Sequence, residues 1–364
     1  MTRKLQQFVW IFAGLAAAAA AACAFMVWSD YLRDLAAAHA RVTSGSEVAN
    51  TPCGPIEYAV LGSGLPVLVA HGAGGGFDQG LEFGRPLVQA GFRAISVSRF
   101  GYLRTPLPAD ASPGAQADAY ACLLDALKLP KAAILGVSAG APSAMRFCLR
   151  HPQRCSALVL LVPATATPRP ASGAPPAAVA RFLLNAVLGS DFAFWAVANL
   201  SQEKMLEELF GTPAADFRRA SPEEQERVLR IARHILPMGA REAGLQNDLE
   251  LLASALNFPA EKIGAPTLVV SAENDLFGTW ESGRALAARI PGAQFSGFPD
   301  GGHLLVGRYE QVVAEIALFL NQPAAGERAG LPRAHSTRYG RDANPSASGG
   351  KQRARIVGAV EACA

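Results

Sequence analysis

The sequence predicts an α/β protein: a mostly parallel sheet with helices on both faces, interrupted by a helical insertion and preceded by a transmembrane helix. Three observations carry this. Short apolar runs alternate with helical periodicities over 56–162 and again over 263–321. Several runs are unbroken, as in strands buried on both faces of a parallel sheet. Between them, 163–262 shows helical patterns only.

Taken in order, the chain opens with Arg3 and Lys4, then 8–28 without a charged residue. At about 1.5 Å per residue such a helix reaches roughly 30 Å, the depth of a bilayer core. Trp10 and Trp28 stand near its ends, as interfacial anchors do. Basic residues precede the span, while Asp30, Arg33 and Asp34 after it nearly balance. The positive-inside rule then puts the amino terminus in the cytoplasm and the rest outside. Residues 1–34 read as a single-pass anchor. The alternative is a signal cleaved in the Ala-rich stretch, leaving a secreted chain. Residues 35–55 read as a linker.

Strands are expected at 56–61, 66–70 and 93–98, a helix at 115–129, a strand at 132–136 and a helix at 139–150. The run ALVLLV at 157–162 and TLVVS at 267–271 are further strands. A helix at 281–290, a strand at 294–298 and a helix at 310–320 complete the alternation. The insertion, 163–262, is read as a helical cap. Residues 322–364 are rich in Gly, Ser and Arg and read as a disordered basic tail, with seven Lys or Arg against three acids.

The whole chain has 364 residues, is 50% hydrophobic and 17% charged, and carries a net +3. That excludes global disorder and gives no basic face for nucleic acid, so no nucleic-acid partner is expected. The six cysteines show no C-x-x-C spacing, so no structural zinc or other metal site is expected.

The chemistry centres on Gly136-Val137-Ser138-Ala139-Gly140, between a strand and a helix. A serine on such a turn is lifted clear of the sheet, with free N–H groups of the next helix behind it. A serine hydroxyl needs a base, and the base needs an orienting acid. His303 lies in the loop Pro299-Asp300-Gly301-Gly302-His303 after a strand. His151, His234, His39 and His335 sit at a helix end, in the cap, in the linker and in the tail. Asp275 follows strand TLVVS at its carboxyl end, with Glu273 as competitor; Asp300 stands too near His303 to orient its ring. The oxyanion needs two donors. One is the N–H of Ala139, after the nucleophile. The other is placed in His71-Gly72-Ala73-Gly74-Gly75-Gly76, at Ala73 with Gly72 second. His71 reads as a residue that shapes this loop.

These segments resemble the α/β-hydrolase superfamily over 56–162 and 263–321. The likeness rests on HGAGGG, GVSAG, the phrase RHPQRCSALVLLVPA, SAENDLFG and PDGGH. It implies an eight-stranded, mostly parallel sheet, a helical cap after ALVLLV, and no metal or organic cofactor. Ser98-Arg99-Phe100-Gly101-Tyr102 departs from the family's commoner Asp-x-Arg-Gly-x-Gly, and Gly278-Thr279 stands where a proline often follows the acid. The family's topology sets the helices of Cys122 and Cys148 side by side, so that pair is the candidate disulfide, with buried free thiols as the leading expectation.

A serine nucleophile disfavours the epoxide hydrolases and haloalkane dehalogenases of this fold, which use aspartate. The expectation is a serine hydrolase of a small, apolar acyl ester, with Phe182, Phe192, Phe194 and Trp195 either forming the acyl site or packing the core of the cap. Two alternatives stand. One is a C–C hydrolase of dienone acids, which would need a basic residue such as Arg99, Arg146 or Arg181 in the pocket. The other is a binding or signalling protein that keeps the fold without turnover.

Overall fold

The computed structural model describes residues 3–165, 187–253 and 258–322. Helix α1 (Arg3–Thr43) leads into strands β1 (Glu47–Thr51), β2 (Gly54–Leu61) and β3 (Leu65–Ala70). Helix α2 (Phe77–Gln89), β4 (Phe92–Val97), α3 (Pro113–Ala126), β5 (Ala132–Val137), α4 (Ala141–Arg150) and β6 (Cys155–Leu161) follow. Past β6 the described chain is helical: α5 (Asp191–Leu200), α6 (Gln202–Phe210), α7 (Ala214–Arg219), α8 (Pro222–Arg233) and α9 (Glu242–Ala253). The alternation resumes with β7 (Thr267–Ala272), α10 (Thr279–Arg289), β8 (Gln294–Phe298) and α11 (Tyr309–Leu320).

The eight strands form one sheet in the order β1-β2-β4-β3-β5-β6-β7-β8. Strands β3 to β8 pair in parallel, while β2 pairs antiparallel with both β1 and β4. The unbroken apolar runs have the physical meaning expected of them. On β5, Leu135 belongs to one apolar cluster with Leu87 of α2 and Ile316 of α11, while Ile134 belongs to another with Leu123 of α3 and Phe147 of α4. Both side chains are fully buried, because one strand period alternates between two cores.

Three expectations change. The stretch read as a linker is ordered: α1 continues to Thr43, and Glu47–Thr51 pairs with β2 as the edge strand. Here β-pairing overrides a Gly- and Pro-containing composition. Helix α2 keeps a clear apolar face, but Gly80, Gly84 and Pro86 stand within it as residues that ordinarily break a helix, and so hide it in the sequence. Its glycines are packing choices, since a Cβ at Gly84 would press on Ala94 of β4 at 2.8 Å. The cysteines are also paired differently. Cys53 bonds Cys122 and Cys148 bonds Cys155, so neither a Cys122–Cys148 bridge nor buried free thiols is present, and Cys23 alone among the described cysteines is free. Residues 148 and 155 flank the turn from α4 to β6, which brings them close with a sequence separation of 7. Phe182, Arg181 and the tail lie outside the described residues.

Helix α1 changes character along its length. Residues 10–30 are all exposed, with a mean hydropathy of 2.1 over the apolar window. From Tyr31 on, one face is buried: Tyr31, Ala38 and Val42 are at most 8% exposed. Polar contacts fasten the same face. Trp195 Nε1 donates to Asp34 at 2.9 Å, and Arg41 donates to Asp78 at 2.9 Å and to the Leu236 carbonyl at 2.6 Å.

Candidate active site

The turn after β5 is as tight as GVSAG suggested. Ser138 has φ +48°, the left-handed region that costs a non-glycine residue about 1 kcal/mol or more. The flanking glycines let the neighbouring chain close around it. A Cβ at Gly136 would lie 2.7 Å from Ala144 Cβ, and one at Gly140 would collide with the carbonyls of Ala70 and His71. The serine is therefore held out beyond the carboxyl end of β5 by packing on both sides.

Ser138, His303 and Asp275 are brought together. His303 Nε2 lies 2.8 Å from Ser138 Oγ, and His303 Nδ1 lies 2.7 Å from Asp275 Oδ2. With the carboxylate accepting from Nδ1–H, Nε2 carries the lone pair that faces the hydroxyl. Asp275 is itself held: the Phe277 N–H donates to Oδ1 at 2.8 Å and the Thr279 hydroxyl donates to Oδ2. Ser271 meets Thr279 at 2.8 Å and continues the chain into β7. Thr279 stands where the family's proline often follows the acid, and its hydroxyl, four residues after Asp275, is the sequence's signal for this role. The Phe277 ring stands edge-on to His303, centroids 4.9 Å apart. The competitors stand elsewhere. Glu273 is exposed, and Asp300 pairs with Arg308 at 2.6 Å.

The glycine loop after β3 is wired from below. His71 is fully buried, with Nδ1 2.7 Å from the Gly72 carbonyl, while the Arg99 N–H donates to its Nε2 at 3.1 Å. Burial and the neighbouring Arg99 charge hold its pKa well below the usual histidine range, so the ring is neutral at pH 7. Both ring nitrogens serve the backbone. Arg99 donates to the His71 carbonyl at 2.9 Å and the Gly72 carbonyl at 3.1 Å, and grips Asp248 of α9 through both carboxylate oxygens at 2.7 and 2.5 Å. Burial opposes the charge on Arg99, but Asp248 outweighs it and raises its pKa. Tyr102 donates to Asp248 at 2.5 Å and accepts from the Gly74 N–H at 3.1 Å. Behind the loop, buried Arg241 donates to the Gly75 carbonyl and to both oxygens of Asp78. Gly74 and Gly75 thus spend their N–H groups on Tyr102 and on Gly72.

A cavity of about 480 Å³ opens over Ser138 and His303. Ala73 and Ala139, the expected oxyanion donors, both line it; Gly72 does not, although a Cβ there would meet Ser138 Cβ at 3.4 Å. Leu209, Ile235, Leu245, Leu249 and Leu252 from the helical insertion make the apolar wall. Phe192, Phe194 and Trp195 do not line the cavity, which corrects their expected place at the substrate. Phe194 is fully buried in the core, while Phe192 and Trp195 pack on Tyr31 of α1 at 5.2 and 5.7 Å between centroids. Aromatic clustering marked a contact surface correctly, but the partner was another helix. Among the described lining residues none is Lys or Arg, and the charged ones are Glu208 and Glu281. Among the described residues no three His, Cys, Asp or Glu side chains gather as metal ligands would.

Comparison with known proteins is consistent with this geometry. Residues 66–307 match a family model described as the alpha/beta hydrolase fold. Over 260 residues the chain is 30% identical to a 2-hydroxy-6-oxononadienedioate/2-hydroxy-6-oxononatrienedioate hydrolase of Pseudomonas putida, covering 68% of this chain and 85% of that one. Among solved structures, an alpha/beta hydrolase fold protein from Nakamurella multipartita is 32% identical with a TM-score of 0.60, covering 76% and 98% of the two chains. A thermophilic esterase from Thermogutta terrifontis is 26% identical with a TM-score of 0.55, covering 76% and 98%.

Proposed function

We propose that this chain, which belongs to the alpha/beta hydrolase fold family, is a serine hydrolase of uncharged acyl esters. The observation that carries the reading is the hydrogen-bonded line Asp275–His303–Ser138 opening onto an apolar cavity whose described walls hold no cation. In this reading Ser138 Oγ attacks the ester carbonyl while its proton passes to His303 Nε2. Asp275 keeps the imidazole in the required tautomer and steadies the imidazolium. The N–H groups of Ala73 and Ala139 receive the negative oxygen of the tetrahedral species. Collapse breaks the ester C–O bond, and His303 returns the proton to the departing alcohol. Water, deprotonated by His303, then attacks the acyl-serine. The acid is released and Ser138 regains its proton.

A second reading, C–C bond hydrolysis with the same three residues, is favoured by the Pseudomonas putida relative. The name of that relative's substrate specifies a dioate, and a carboxylate buried without a cation is costly. The candidate cations are engaged or elsewhere: Arg99 grips Asp248, Arg146 lies over the Phe258 ring at 4.8 Å, and Arg181 is outside the described residues. The cavity favours the ester on this ground.

The test is a chain-length series of p-nitrophenyl esters with a fluorophosphonate label. Ester turnover and labelling are both expected, and Ser138→Ala is expected to abolish both, with a fall in kcat of about 10⁴-fold or more. Labelling without turnover of any ester would move the assignment to the C–C reading. Failure to label would remove the nucleophile.

In the same reading the 8–28 stretch of α1 crosses a membrane, with the catalytic body outside the cytoplasm. The exposed apolar helix supports the first part. The two disulfides support the second, because such bonds persist in oxidising compartments.

A further inference from the structure

We propose that the α5 face of the helical insertion rests on the bilayer crossed by α1, and that the cavity takes its acyl substrate from that bilayer. The inference deepens the ester reading and rests on it and on the single-pass reading.

The argument is one of distance and stiffness. The apolar part of α1 ends at Trp28, and Tyr31 is already buried against the catalytic body. Three residues of helix advance only about 4.5 Å. No joint intervenes, since α1 is a single helix from Arg3 to Thr43. The last residue of the apolar run touches the body directly: Trp28 packs on Phe192 of α5 with centroids 5.7 Å apart. Phe192 is still 39% exposed there and Trp28 51%, so the two rings form an apolar ledge at the level where the span leaves the membrane. Rings of this kind settle at the headgroup boundary.

The chain leads from the ledge to the cavity: Leu188, four residues before Phe192 and on the other side of the extended N-cap Ser190, lines it. A clamp sets the orientation: Asp34 holds Trp195 at one level, and Arg41 holds Asp78 and Leu236 farther along the helix. Two fastenings separated along one helix prevent rotation of the body about the span. The body, and the site with it, is thus held in one orientation against the span, with the apolar wall of the cavity in the same helical insertion as the ledge.

The experiment uses the full chain in phosphatidylcholine–phosphatidylglycerol vesicles. A bimane probe is placed at Phe192→Cys in a Cys23→Ala/Cys363→Ala background, with Lys131→Cys, before the amino end of β5 and so opposite the end that carries Ser138, as reference. Brominated lipid is expected to quench the probe at 192 at least several-fold more than that at 131. Equal quenching overturns the proposal, as does protection of position 192 that disappears on dilution, which would assign the ledge to a second copy. So does a mature chain whose first residue lies beyond Trp28.

Turnover gives an independent readout. A flexible six-residue Gly-Ser insertion between Ser29 and Asp30 is expected to lower hydrolysis of a long-chain ester dissolved in the vesicles about tenfold. A water-soluble short-chain ester should be hydrolysed as before. No difference between the two esters overturns bilayer delivery. If the parent hydrolyses neither ester, the ester reading fails, and the quenching still decides whether the ledge meets lipid.

Discussion

The indole N–H of Trp195 donates a 2.9 Å hydrogen bond to the carboxylate of Asp34, joining the helical insertion to the first helix across 161 residues. The same pair lies beside Tyr31, whose ring meets Trp195 edge-on. A segment that composition alone would assign to membrane anchoring and linkage is therefore part of the folded body.

Truncation should reveal this. A chain beginning at residue 29 is expected to keep the stability of the body, whereas one beginning at residue 44 loses the burial of Tyr31, Ala38 and Val42 and the Arg41 contacts. The cost is about 3 kcal/mol, or roughly 5 °C in Tm at about 2 cal/mol/K of unfolding entropy per residue. Thermal unfolding of the two truncated chains checks it, and equal midpoints would mean that α1 contributes nothing to the fold.

The Arg99–Asp248 pair should behave as a buried charge pair. Arg99→Met strands a carboxylate that is 2% exposed, and should cost about 3–5 kcal/mol in urea unfolding. Replacing both, as Arg99→Met with Asp248→Leu, should recover more than half of that loss. Because Arg99 also braces the His71 and Gly72 carbonyls, the double variant should still turn over more slowly at unchanged KM.

Acid should act through Asp78. Burial works to raise its pKa, but Arg241 and Arg41 prevail and lower it from 3.8 to about 2. A depressed carboxylate adds stability that is complete above the unfolded value and fades as pH falls from about 4 toward 2. The difference is on the order of 2 kcal/mol. Urea midpoints between pH 2 and 6 should show this slope, and Asp78→Asn should flatten it. An unchanged slope in that variant would place the acid sensitivity elsewhere.

Peptide mapping under non-reducing conditions should recover Cys53 linked to Cys122 and Cys148 linked to Cys155. The first closes a loop with a sequence separation of 69. In the chain-entropy model its loss costs about 4 kcal/mol. Reduction should therefore lower Tm more than the Cys148→Ser/Cys155→Ser variant does. Recovery of Cys53, Cys122, Cys148 and Cys155 as free thiols would refute both bridges.

What was legible in the sequence follows the range of the interactions. Strand β6, read as ALVLLV, and the turn GVSAG declare themselves because their constraints lie within a few residues: two buried faces, and a left-handed serine between two required glycines. Asp275 and His303 were readable because each follows a strand that ends at the same edge. The partner of Trp195 was not readable, nor was that of Arg99, which lies 149 residues away. An aromatic cluster states only that something apolar will cover it. Likewise β1 owes its existence to pairing with β2, since Val48 and Thr51 alone are too weak a signal for a strand among Glu47, Ala49 and Asn50.

The grip of Arg99 on Asp248 has a consequence for traffic. It stitches the roof of the site to its floor through a guanidinium and a carboxylate that are both sealed from water. Swinging α9 away as a hatch would strip each ion of its counterpart in a medium that solvates neither. Among the described elements α9 therefore stays seated as guests arrive, and the rate of admission should not depend on a hinge in that helix.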